Sequence, residues 1–418
     1  MSNILFIAYG FPPFEFSENI VNGKLVLAFQ KRGHTVKVIS KRYEGPSYNS
    51  EWRFPWLSLK PITYCISYPK GSMFKKLFEV FRNTLHFRYL QEGIRWAEYA
   101  YLKAKELLQQ EEFDVLITRS PSDIAHLVGL RLKRELNIRW IANFNDPSTG
   151  VWPDPYERNI KVWKKIIAKR FVQEILKKAD NISFPSILLA EHFKEHFSLK
   201  DRCISIIPHI MLNETFEGVK TIDQNCLHMV HSGNLSQERD PKNLLIALKK
   251  FNTFNEEKVC LDILGVIAPV WLNVIAAAGI EQYVKAVKPM PYFEAMRKMA
   301  EYDVLLIIEA QLEKGIFLPS KIADYSQLKK PILAISPKIG EVSDILEKYG
   351  GGLVANNRSV DEIYDKLVFL SCGKQNGELA KLAKKNMLDN YLSEKRVIDT
   401  YEMIFNTLGT SVDSRRHF

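Results

Sequence analysis

The 418-residue sequence contains no run of about 18 apolar residues, the length that a membrane-spanning helix needs, so no transmembrane segment is predicted. Residues 1–7 lack the basic stretch and the cleavage site of a secretory signal, and are typical of a first strand. The five cysteines are scattered and form no Cys-x-x-Cys pair. This pattern argues against a zinc site or a disulfide framework, and favours reduced thiols in the cytoplasm.

The sequence also lacks a recognition-helix motif, an RNP motif and zinc-finger spacing, so its formal charge of +10 does not predict nucleic-acid binding. The basic residues are concentrated in two segments. Residues 70–105 contain eight Lys or Arg and three acidic residues. Residues 158–178 contain eight Lys or Arg and one acidic residue. The first segment is rich in aromatic side chains as well. Either it packs on a sheet and leaves a solvated basic face, or it contacts an anionic membrane or a lipid-linked acceptor.

The length exceeds the roughly 250–300 residues at which one hydrophobic core stops growing, and predicts two domains. Residues 3–39 read as strand, loop, helix and strand, the repeat of a doubly wound parallel sheet, without the Gly-x-Gly-x-x-Gly of a dinucleotide site. Residues 45–70, rich in Pro, Tyr and Trp, are expected to be irregular. Strand and helix signals recur after residue 226. We predict a first domain at 1–210, a linker at 211–225, a second domain at 226–390, and a helix at 391–418 that returns to the first domain.

Residues 315–325, followed by Pro331, combine groups that suit a nucleotide diphosphate. Ser320 is expected to cap a helix that begins near Lys321. The free N–H groups of a helix N-terminus attract phosphate, and Lys321 adds a full charge at the same place. Asp324, one turn further on, can accept hydrogen bonds from sugar hydroxyls. An ordinary capped helix is the alternative interpretation of this pattern.

Two polar residues in the first half follow predicted strands. In open parallel sheets, ligands bind outside the carboxyl ends of the strands, so Arg119 and Asp146 are candidates for a site there. Asp146 precedes Pro147, and Asp-Pro is also a common turn former, so a structural role is an equal alternative. His231, at the end of a later strand, is interpreted as structural.

Four stretches of the sequence resemble the glycosyltransferases of GT-B architecture, and most closely the large retaining family four. The stretches, in chain order, are Phe11-Pro12-Pro13 with Gly33-His34-Thr35-Val36, Asn145-Asp146-Pro147, Gly233-Asn234-Leu235 through Arg239 and Lys242, and Leu318-Pro319-Ser320-Lys321-Ile322-Ala323-Asp324-Tyr325 with Lys330-Pro331. The resemblance spans most of the chain. Many members carry paired glycines in the first loop, where this chain has Glu15-Phe16-Ser17-Glu18-Asn19.

The resemblance implies an α/β fold with two Rossmann-like, doubly wound domains facing a cleft. It implies a retaining, metal-independent transfer of a sugar from a nucleotide sugar, expected to be a UDP-sugar, to a glycan or lipid-linked acceptor in cell-surface polysaccharide synthesis. No cofactor or metal is implied, so fixed cations must stabilise the leaving diphosphate. The implied site residues are Arg239, Lys321 and Asp146 for catalysis, Gly233, Asn234, Lys242, Glu313, Leu318, Pro319, Ser320 and Asp324 for the donor, and Arg119 and Asn145 on the acceptor side.

Many members of the family also carry two glutamates seven residues apart. Asp324 takes the second place here, and both Glu309 and Glu313 are candidates for the first. Two other functions are compatible with the same architecture. One is a nucleotide-sugar 2-epimerase, which would need acidic residues and histidine around the sugar, and the other is a donor-binding scaffold protein without transfer activity. For the glycosyltransferase we expect a cytoplasmic location at the inner face of the membrane, with peripheral contact with an anionic membrane and no nucleic-acid partner.

Overall fold

The computed structural model describes residues 1–43, 51–67, 70–157, 159–216, 226–383 and 386–413. The chain divides into two compact units. The first unit comprises Met1–Trp152, Glu157–Pro208 and Lys395–Phe418, and the second comprises Pro153–Tyr156 and His209–Glu394. A membrane-spanning helix is absent from the described residues, because none of their helices combines the necessary length with the necessary apolar character.

The described strands form one parallel sheet in each unit. They are β1 (Asn3–Ala8), β2 (Thr35–Lys41), β3 (Thr63–Ile66), β4 (Val115–Arg119), β5 (Trp140–Asn143), β6 (Asn181–Phe184), β7 (Ile204–Ile206), β8 (Cys226–Ser232), β9 (Lys258–Leu264), β10 (Val284–Val287), β11 (Val304–Ile308), β12 (Ile332–Ser336) and β13 (Gly352–Asn356). The order is β3-β2-β1-β4-β5-β6-β7 in the first sheet and β10-β9-β8-β11-β12-β13 in the second.

Helices connect these strands. They are α1 (Ser17–Lys31), a 3-10 helix (Trp56–Ile62), α2 (Met73–Phe87), α3 (Ile94–Gln110), α4 (Ile124–Leu136), α5 (Val162–Lys178), α6 (Ile187–His196), α7 (Lys242–Phe254), α8 (Pro269–Ala278), α9 (Tyr292–Met299), α10 (Lys321–Gln327), α11 (Glu341–Tyr349), α12 (Val360–Gln375), α13 (Leu379–Leu382), α14 (Asn386–Leu392) and α15 (Glu394–Asp413). The predicted α/β class with two doubly wound sheets is confirmed.

Each sheet has one point at which its strand order reverses. This point lies between β1 and β4 in the first unit and between β8 and β11 in the second. Strands β4, β11 and β12 are buried at every residue, as expected of parallel strands that are covered on both faces. The crevice outside the carboxyl ends of the strands at such a reversal is the usual ligand site of this sheet type. The topology therefore singles out the loops after β1, β4, β8 and β11.

The expectation that residues 45–70 are irregular is wrong for the described part, 51–67. It contains the 3-10 helix and β3, which pairs in parallel with β2 at the edge of the sheet. Trp56 and Leu59 are fully buried, and the Trp56 indole donates a hydrogen bond to the Glu15 carboxylate at 2.7 Å. A four-residue edge strand is too short to show a clear alternation, and the surrounding prolines suggested a loop. Residues 44–50 and 68–69 lie outside the described residues.

The carboxyl-terminal segment after α12 contains the separate helices α13, α14 and α15. Helix α15 packs within the first unit, where the Tyr401 ring lies 5.1 Å from that of Phe29. Its Glu402 carboxylate accepts a hydrogen bond from Arg32 at 3.0 Å. Of the predicted linker, residues 217–225 lie outside the described residues.

Gly129 in α4 offers a test of this packing. A Cβ atom there would lie 2.7 Å from the Trp140 ring and 2.8 Å from the Thr118 methyl group. These two neighbours are fixed by the hydrogen bond from the Trp140 indole to the Thr118 hydroxyl at 2.7 Å. We expect Gly129→Ala to destabilise the first unit by about 1–2 kcal/mol, because overpacking outweighs the helix propensity gained.

The matched control is Gly373→Ala in α12, where the nearest atom to the new methyl group is Leu379 Cδ2 at 3.5 Å. This variant should be neutral or gain up to about 1 kcal/mol. Thermal and urea unfolding of both variants provide the measurement. An equal response of the two variants would contradict the packing described around Trp140.

Candidate active site

The loop after β8 and the start of α10 lie against each other at the reversal point of the second sheet. Gly233 has a φ of +125°, and a Cβ atom at this position would lie 3.3 Å from the Lys321 ammonium nitrogen. Gly265, which follows β9 with a φ of +158°, could not carry a Cβ atom, because it would lie 2.6 Å from the Gly233 carbonyl oxygen. Both glycines are therefore required by conformation, and Gly265 is required by space as well. They let the backbone and the lysine approach the same point.

Lys321 is half-buried among other charged residues. Burial and the nearby Arg239 guanidinium lower the pKa of its ammonium well below the ordinary value, while Glu309 and Asp324 oppose this shift. Among the described residues, no carboxylate lies within ion-pair distance of the Lys321 nitrogen. The Lys321 ammonium and the Arg239 guanidinium thus lie near one another, and the nearby carboxylates only partly compensate their positive charge. An anionic ligand at this place would relieve their repulsion.

Glu309, immediately after β11, is a buried carboxyl group that interacts electrostatically with both cations. It accepts a hydrogen bond from the Ser336 hydroxyl. Burial raises its pKa to about 7, and the Ser336 hydrogen bond, Arg239 and Lys321 oppose the rise. Glu313 is exposed in the loop that follows. Of the two glutamates left open by the sequence, the structure therefore brings Glu309 to the cations.

Several hydrogen bonds fix the elements around Lys321. The Tyr325 hydroxyl accepts from the Ser232 N–H at 2.8 Å and donates to the Leu306 carbonyl at 3.2 Å, and so ties α10 to β8 and β11. Asp324 accepts from the Tyr292 hydroxyl at 2.7 Å. No role was predicted for Tyr292 or Tyr325 from the sequence, because tyrosines at helical spacing look like ordinary core residues.

The segment before α10 is also held in place. His209 is buried and donates from Nε2 to the Leu318 carbonyl at 2.9 Å. Leu318 is buried, and Pro319 and Ser320 are half-buried. The backbone at this segment is therefore fixed by the core of the second unit as well as by its proline.

The capping role predicted for Ser320 is wrong, although α10 begins at Lys321 as expected. Ser320 has helical backbone angles, φ −57° and ψ −27°, and its side chain makes no capping hydrogen bond. A capping residue needs an extended backbone to aim its oxygen at the helix N-terminus. Because α10 has only seven residues, its dipole adds little, and the charge at this place comes mainly from Lys321.

The remaining donor-side candidates occupy the loop between β8 and α7. The Asn234 side chain accepts a hydrogen bond from the Val266 N–H at 2.9 Å, and the Arg239 guanidinium donates to the Asn234 carbonyl at 3.4 Å. The Asp240 carboxylate accepts a hydrogen bond at 2.9 Å from the N–H of Lys242, the first residue of α7, while the Lys242 side chain is exposed. In this structure Asn234 shapes the loop, and Arg239 is the basic residue that interacts with Lys321 and Glu309.

His231 has an unusual environment at the end of β8. It is fully buried, and its Nδ1 lies 2.9 Å from the Leu306 carbonyl, which can only accept a hydrogen bond. Nδ1 therefore carries the proton. Burial, Lys321 and Arg239 all lower its pKa, so the ring is neutral and Nε2 has a free lone pair.

The second nitrogen of His231 has no partner among the described residues. It lies 3.9 Å from the position that a Cβ of Gly233 would take. A buried acceptor without a donor costs about 1–3 kcal/mol, so such a group is usually satisfied by water or by a ligand. Its place at a strand end was the only signal in the sequence, and it did not distinguish this residue from a core histidine.

The candidate residues of the first unit also lie together at the strand ends. Arg119, the last residue of β4, is buried and donates to the Asn22 side chain at 2.5 Å and to the Tyr401 hydroxyl at 3.4 Å. Asn145 donates to the Glu18 carboxyl at 2.5 Å. Arg119 is thus committed largely to internal contacts, and Glu18 emerges as a member of the cluster that the sequence did not single out.

Glu18 and Asp146 interact electrostatically in this cluster. Burial raises the pKa of Glu18 to about 8, against the effect of Arg119 and with a further contribution from Asp146. Burial likewise raises the pKa of Asp123 to about 6, and Asp146 adds to this shift too. At neutral pH the cluster therefore contains the protonated Glu18 beside the half-buried Asp146. A donor and an acceptor of hydrogen bonds are thereby available at one strand end.

The structure brings most of the predicted residues together as two groups, one in each unit, whereas the side chains of Lys242 and Glu313 are exposed. A different group of described residues has the composition of a metal site: the ligand atoms of His192, Glu195 and His196 on α6 lie within 4.8 Å of one another. None of these three is a predicted site residue. The expectation that catalysis needs no metal stays a prediction.

Comparison with known proteins agrees with the resemblance noted in the sequence. Residues 20–210 match the model of Glycosyltransferase Family 4. No curated protein sequence matches the chain. The predicted resemblance to a GT-B glycosyltransferase similar to family four is confirmed. Together with the fold, the family match supports a glycosyltransferase that uses a nucleotide sugar.

Solved structures share the fold at low sequence identity. A sucrose-phosphate synthase from Thermosynechococcus elongatus matches with a TM-score of 0.69 and 12% identity, over 98% of this chain and 100% of its own. HepE of Anabaena, solved with UDP and glucose, matches with a TM-score of 0.64 and 14% identity, over 98% of this chain and 100% of its own. A Listeria monocytogenes protein described as a UDP-N-acetylglucosamine 2-epimerase matches with a TM-score of 0.57 and 11% identity, over 97% of this chain and 98% of its own. These likenesses establish the GT-B fold.

The raised pKa of Glu18 predicts how stability depends on pH. A carboxyl group that holds its proton more tightly in the folded state stabilises the protein below its unfolded pKa, near 4.5. This contribution is lost as the pH rises toward about 8. Glu18→Gln cannot ionise, so its melting temperature should rise relative to that of the wild type between pH 5 and pH 8. Scanning calorimetry across this range measures the difference in melting temperature, and Glu347→Gln, which changes an exposed carboxylate, is the control. Parallel curves of melting temperature against pH for the wild type and Glu18→Gln would refute the prediction.

Proposed function

We propose that this protein is a retaining, metal-independent glycosyltransferase that moves a sugar from a UDP-sugar to a glycan or lipid-linked acceptor in cell-surface polysaccharide synthesis. The observation that carries the proposal is the placement of Lys321 and Arg239 beside the Gly233 loop, at the reversal point of the second sheet. A diphosphate fits this place because it supplies the negative charge that the two cations lack. HepE, which shares the fold, was solved with UDP and glucose, and this agrees with the choice of donor.

His231 supports a sugar as the second part of the ligand. Its Nε2 is a buried acceptor near the Gly233 loop, and a ligand that presents a hydrogen-bond donor there would satisfy it. A diphosphate with unprotonated oxygens has none, whereas a sugar hydroxyl does. The cations and the neutral imidazole together therefore suit a nucleotide sugar better than a free nucleotide.

The chemistry follows from the charge that develops during transfer. As the bond from the sugar to the diphosphate breaks, negative charge grows on the leaving oxygen, and fixed cations stabilise it best when no reorganisation is needed. Lys321 has a lowered pKa before the ligand binds, and an arriving diphosphate favours its charged form. On one face of the sugar, the leaving phosphate oxygen can take the proton of the acceptor hydroxyl. This route retains the configuration without a nucleophilic carboxylate.

The first unit would contribute the acceptor side. Asp146 is half-buried beside the protonated Glu18, and it can accept a hydrogen bond from an acceptor hydroxyl and orient it. We assign orientation rather than proton removal to Asp146. Arg119, with its contacts to Asn22 and Tyr401, would hold the loop that carries this group.

The two alternatives make different demands. An epimerase shares the fold, so the fold does not discriminate, but its product is an isomer of the donor rather than a free nucleotide. A scaffold protein would bind the donor without turnover. Incubation with a panel of nucleotide sugars, followed by measurement of nucleoside diphosphate release and of sugar configuration, separates the three functions.

The first test concerns donor binding. We expect UDP to bind in the presence of excess chelator, because Lys321 and Arg239 supply the positive charge that a metal would otherwise provide. Titration calorimetry of the full chain with and without EDTA measures this. Binding that requires a divalent cation would refute the metal-independent proposal.

The second test concerns the transition state. Lys321→Ala and Arg239→Ala should each lower kcat by roughly 10²–10³ with a smaller change in KM, because charge on the leaving group appears only as the bond breaks. Lys321→Arg should recover part of the activity, since its planar group cannot replace a compact ammonium. Lys249→Ala, which removes an exposed lysine of α7, is the matched control and should be neutral. Normal kcat in both alanine variants at Lys321 and Arg239 would place the donor site elsewhere.

A further inference from the structure

Helix α2 of the first unit presents large apolar side chains to solvent. Five of them form a stripe along the helix, with exposed fractions between 59% and 86%: Phe74, Leu77, Phe78, Phe81 and Leu85. Their spacing of three to four residues places them on one face. An apolar stripe of this length on a surface helix marks a binding surface.

The opposite face of α2, which packs on the protein, is polar apart from Phe87 at the end of the helix. Glu79 and Asn83 are buried there, and Glu79 accepts a hydrogen bond from Arg95 of α3 at 2.5 Å. The Asn83 side chain donates to the Ile94 carbonyl at 3.5 Å. A helix of a globular domain normally shows the reverse arrangement, with its apolar face toward the core. The exposed stripe is therefore additional to the core of the unit.

Basic residues flank the apolar stripe. Lys75 and Lys76 are exposed in the first turn of α2, Arg82 is half-buried further along, and Arg88 is exposed directly after its last residue. The only acidic residue of α2 is Glu79, which is buried against Arg95. The outward face is thus apolar with a basic border, the pattern of a helix that lies in the interface of an anionic membrane.

A second exposed group continues this pattern on α5. Val162, Trp163 and Ile166 are exposed, with Lys161 and Lys164 beside them. The segment after α2 contacts α5 directly, since the Tyr89 ring lies 5.1 Å from that of Phe171. Tryptophan is a preferred residue of membrane interfaces, where its ring can lie at the level of the headgroups.

We infer that α2 inserts its apolar face into the headgroup and acyl boundary of an anionic membrane, with the start of α5 as a second contact. The basic border selects an anionic membrane over an apolar protein surface, because each Lys or Arg near such a surface is attracted to it. The inference goes beyond the proposed function, since it concerns a surface of the first unit and does not depend on donor chemistry. It would bring the acceptor-binding unit to a lipid-linked substrate.

Vesicle flotation tests the apolar contribution. We expect the full chain to bind vesicles of phosphatidylcholine with phosphatidylglycerol, and the double variant Phe74→Ser, Phe78→Ser to bind at least about 10-fold more weakly. Both side chains are largely exposed, so the melting temperature should not change. The matched control is the double variant Phe254→Ser, Phe369→Ser, which removes two exposed phenylalanines of the second unit and should bind like the wild type.

The charged contribution is measured separately. Lys75→Glu with Lys76→Glu should weaken binding to anionic vesicles and reduce its dependence on salt, because fewer attractive charges remain to be screened. Equal recovery of the wild type from neutral and anionic vesicles would overturn the choice of an anionic membrane.

Insertion must also be distinguished from adsorption. A Phe78→Trp variant should show additional quenching by brominated lipids relative to the wild type, because the new indole would lie at the acyl boundary. Absence of additional quenching, or of any difference between the α2 double variant and its control, would overturn the inference. The sedimentation of the same variants shows whether α2 instead mediates dimerisation. A wild type that does not bind vesicles and dimerises through α2 would overturn the inference of membrane binding and identify a second copy of this chain as the partner of the stripe.

UDP titration of the α2 double variant separates this inference from the proposed function. We expect unchanged UDP affinity, because α2 belongs to the first unit and the cations beside Gly233 belong to the second. Loss of vesicle binding with normal UDP binding supports the role of α2 alone. Loss of both would indicate a general folding defect and would overturn the assignment of membrane binding to this face.

Discussion

The close approach of backbone and lysine at Gly233 is the constraint on which the candidate donor site depends. Both glycines have a positive φ, and a Cβ atom at Gly265 would collide with the Gly233 carbonyl oxygen. The loops after β8 and β9 therefore lie against each other, with the Lys321 ammonium beside Gly233. Lys321 and Arg239 act on two buried groups at this place. Burial raises the pKa of Glu309 against the effect of both cations, whereas burial and both cations together lower the pKa of His231. The second unit thus holds uncompensated positive charge, whereas the cluster around Glu18 in the first unit holds an extra proton.

The sequence predicted those features that repeat along the chain. The strand, helix and strand predicted within residues 3–39 are β1, α1 and β2, because strand and helix signals follow one another regularly there. Strand β3 was missed because four edge residues among prolines carry no period. The prediction that Ser320 caps α10 was wrong, because serine is a suitable residue type for a cap but its backbone here is helical rather than extended. Local patterns thus gave the order of elements more surely than the geometry at their ends.

The roles of Glu18, Tyr325 and His231 needed the fold, since each depends on residues far away in the chain. Glu18 gains its raised pKa from burial near residues more than a hundred positions later. Tyr325 joins strands that are separated in sequence by β9 and β10. The exposed stripe of α2 is a different case, because the sequence showed aromatic and basic residues there and left open which face they occupied. Only the burial of Glu79 and Asn83 decides that question.

The return of α15 to the first unit has a consequence for biosynthesis. Tyr401 and Glu402 provide partners for Arg119, Phe29 and Arg32, yet almost the whole second unit is translated before them. The first unit therefore emerges from the ribosome with the Arg119 guanidinium short of a partner and one apolar surface uncovered. It can complete its buried contacts only after α15 has left the exit tunnel. Synthesis of α15, rather than of the strands of the first sheet, sets the moment at which this unit is finished.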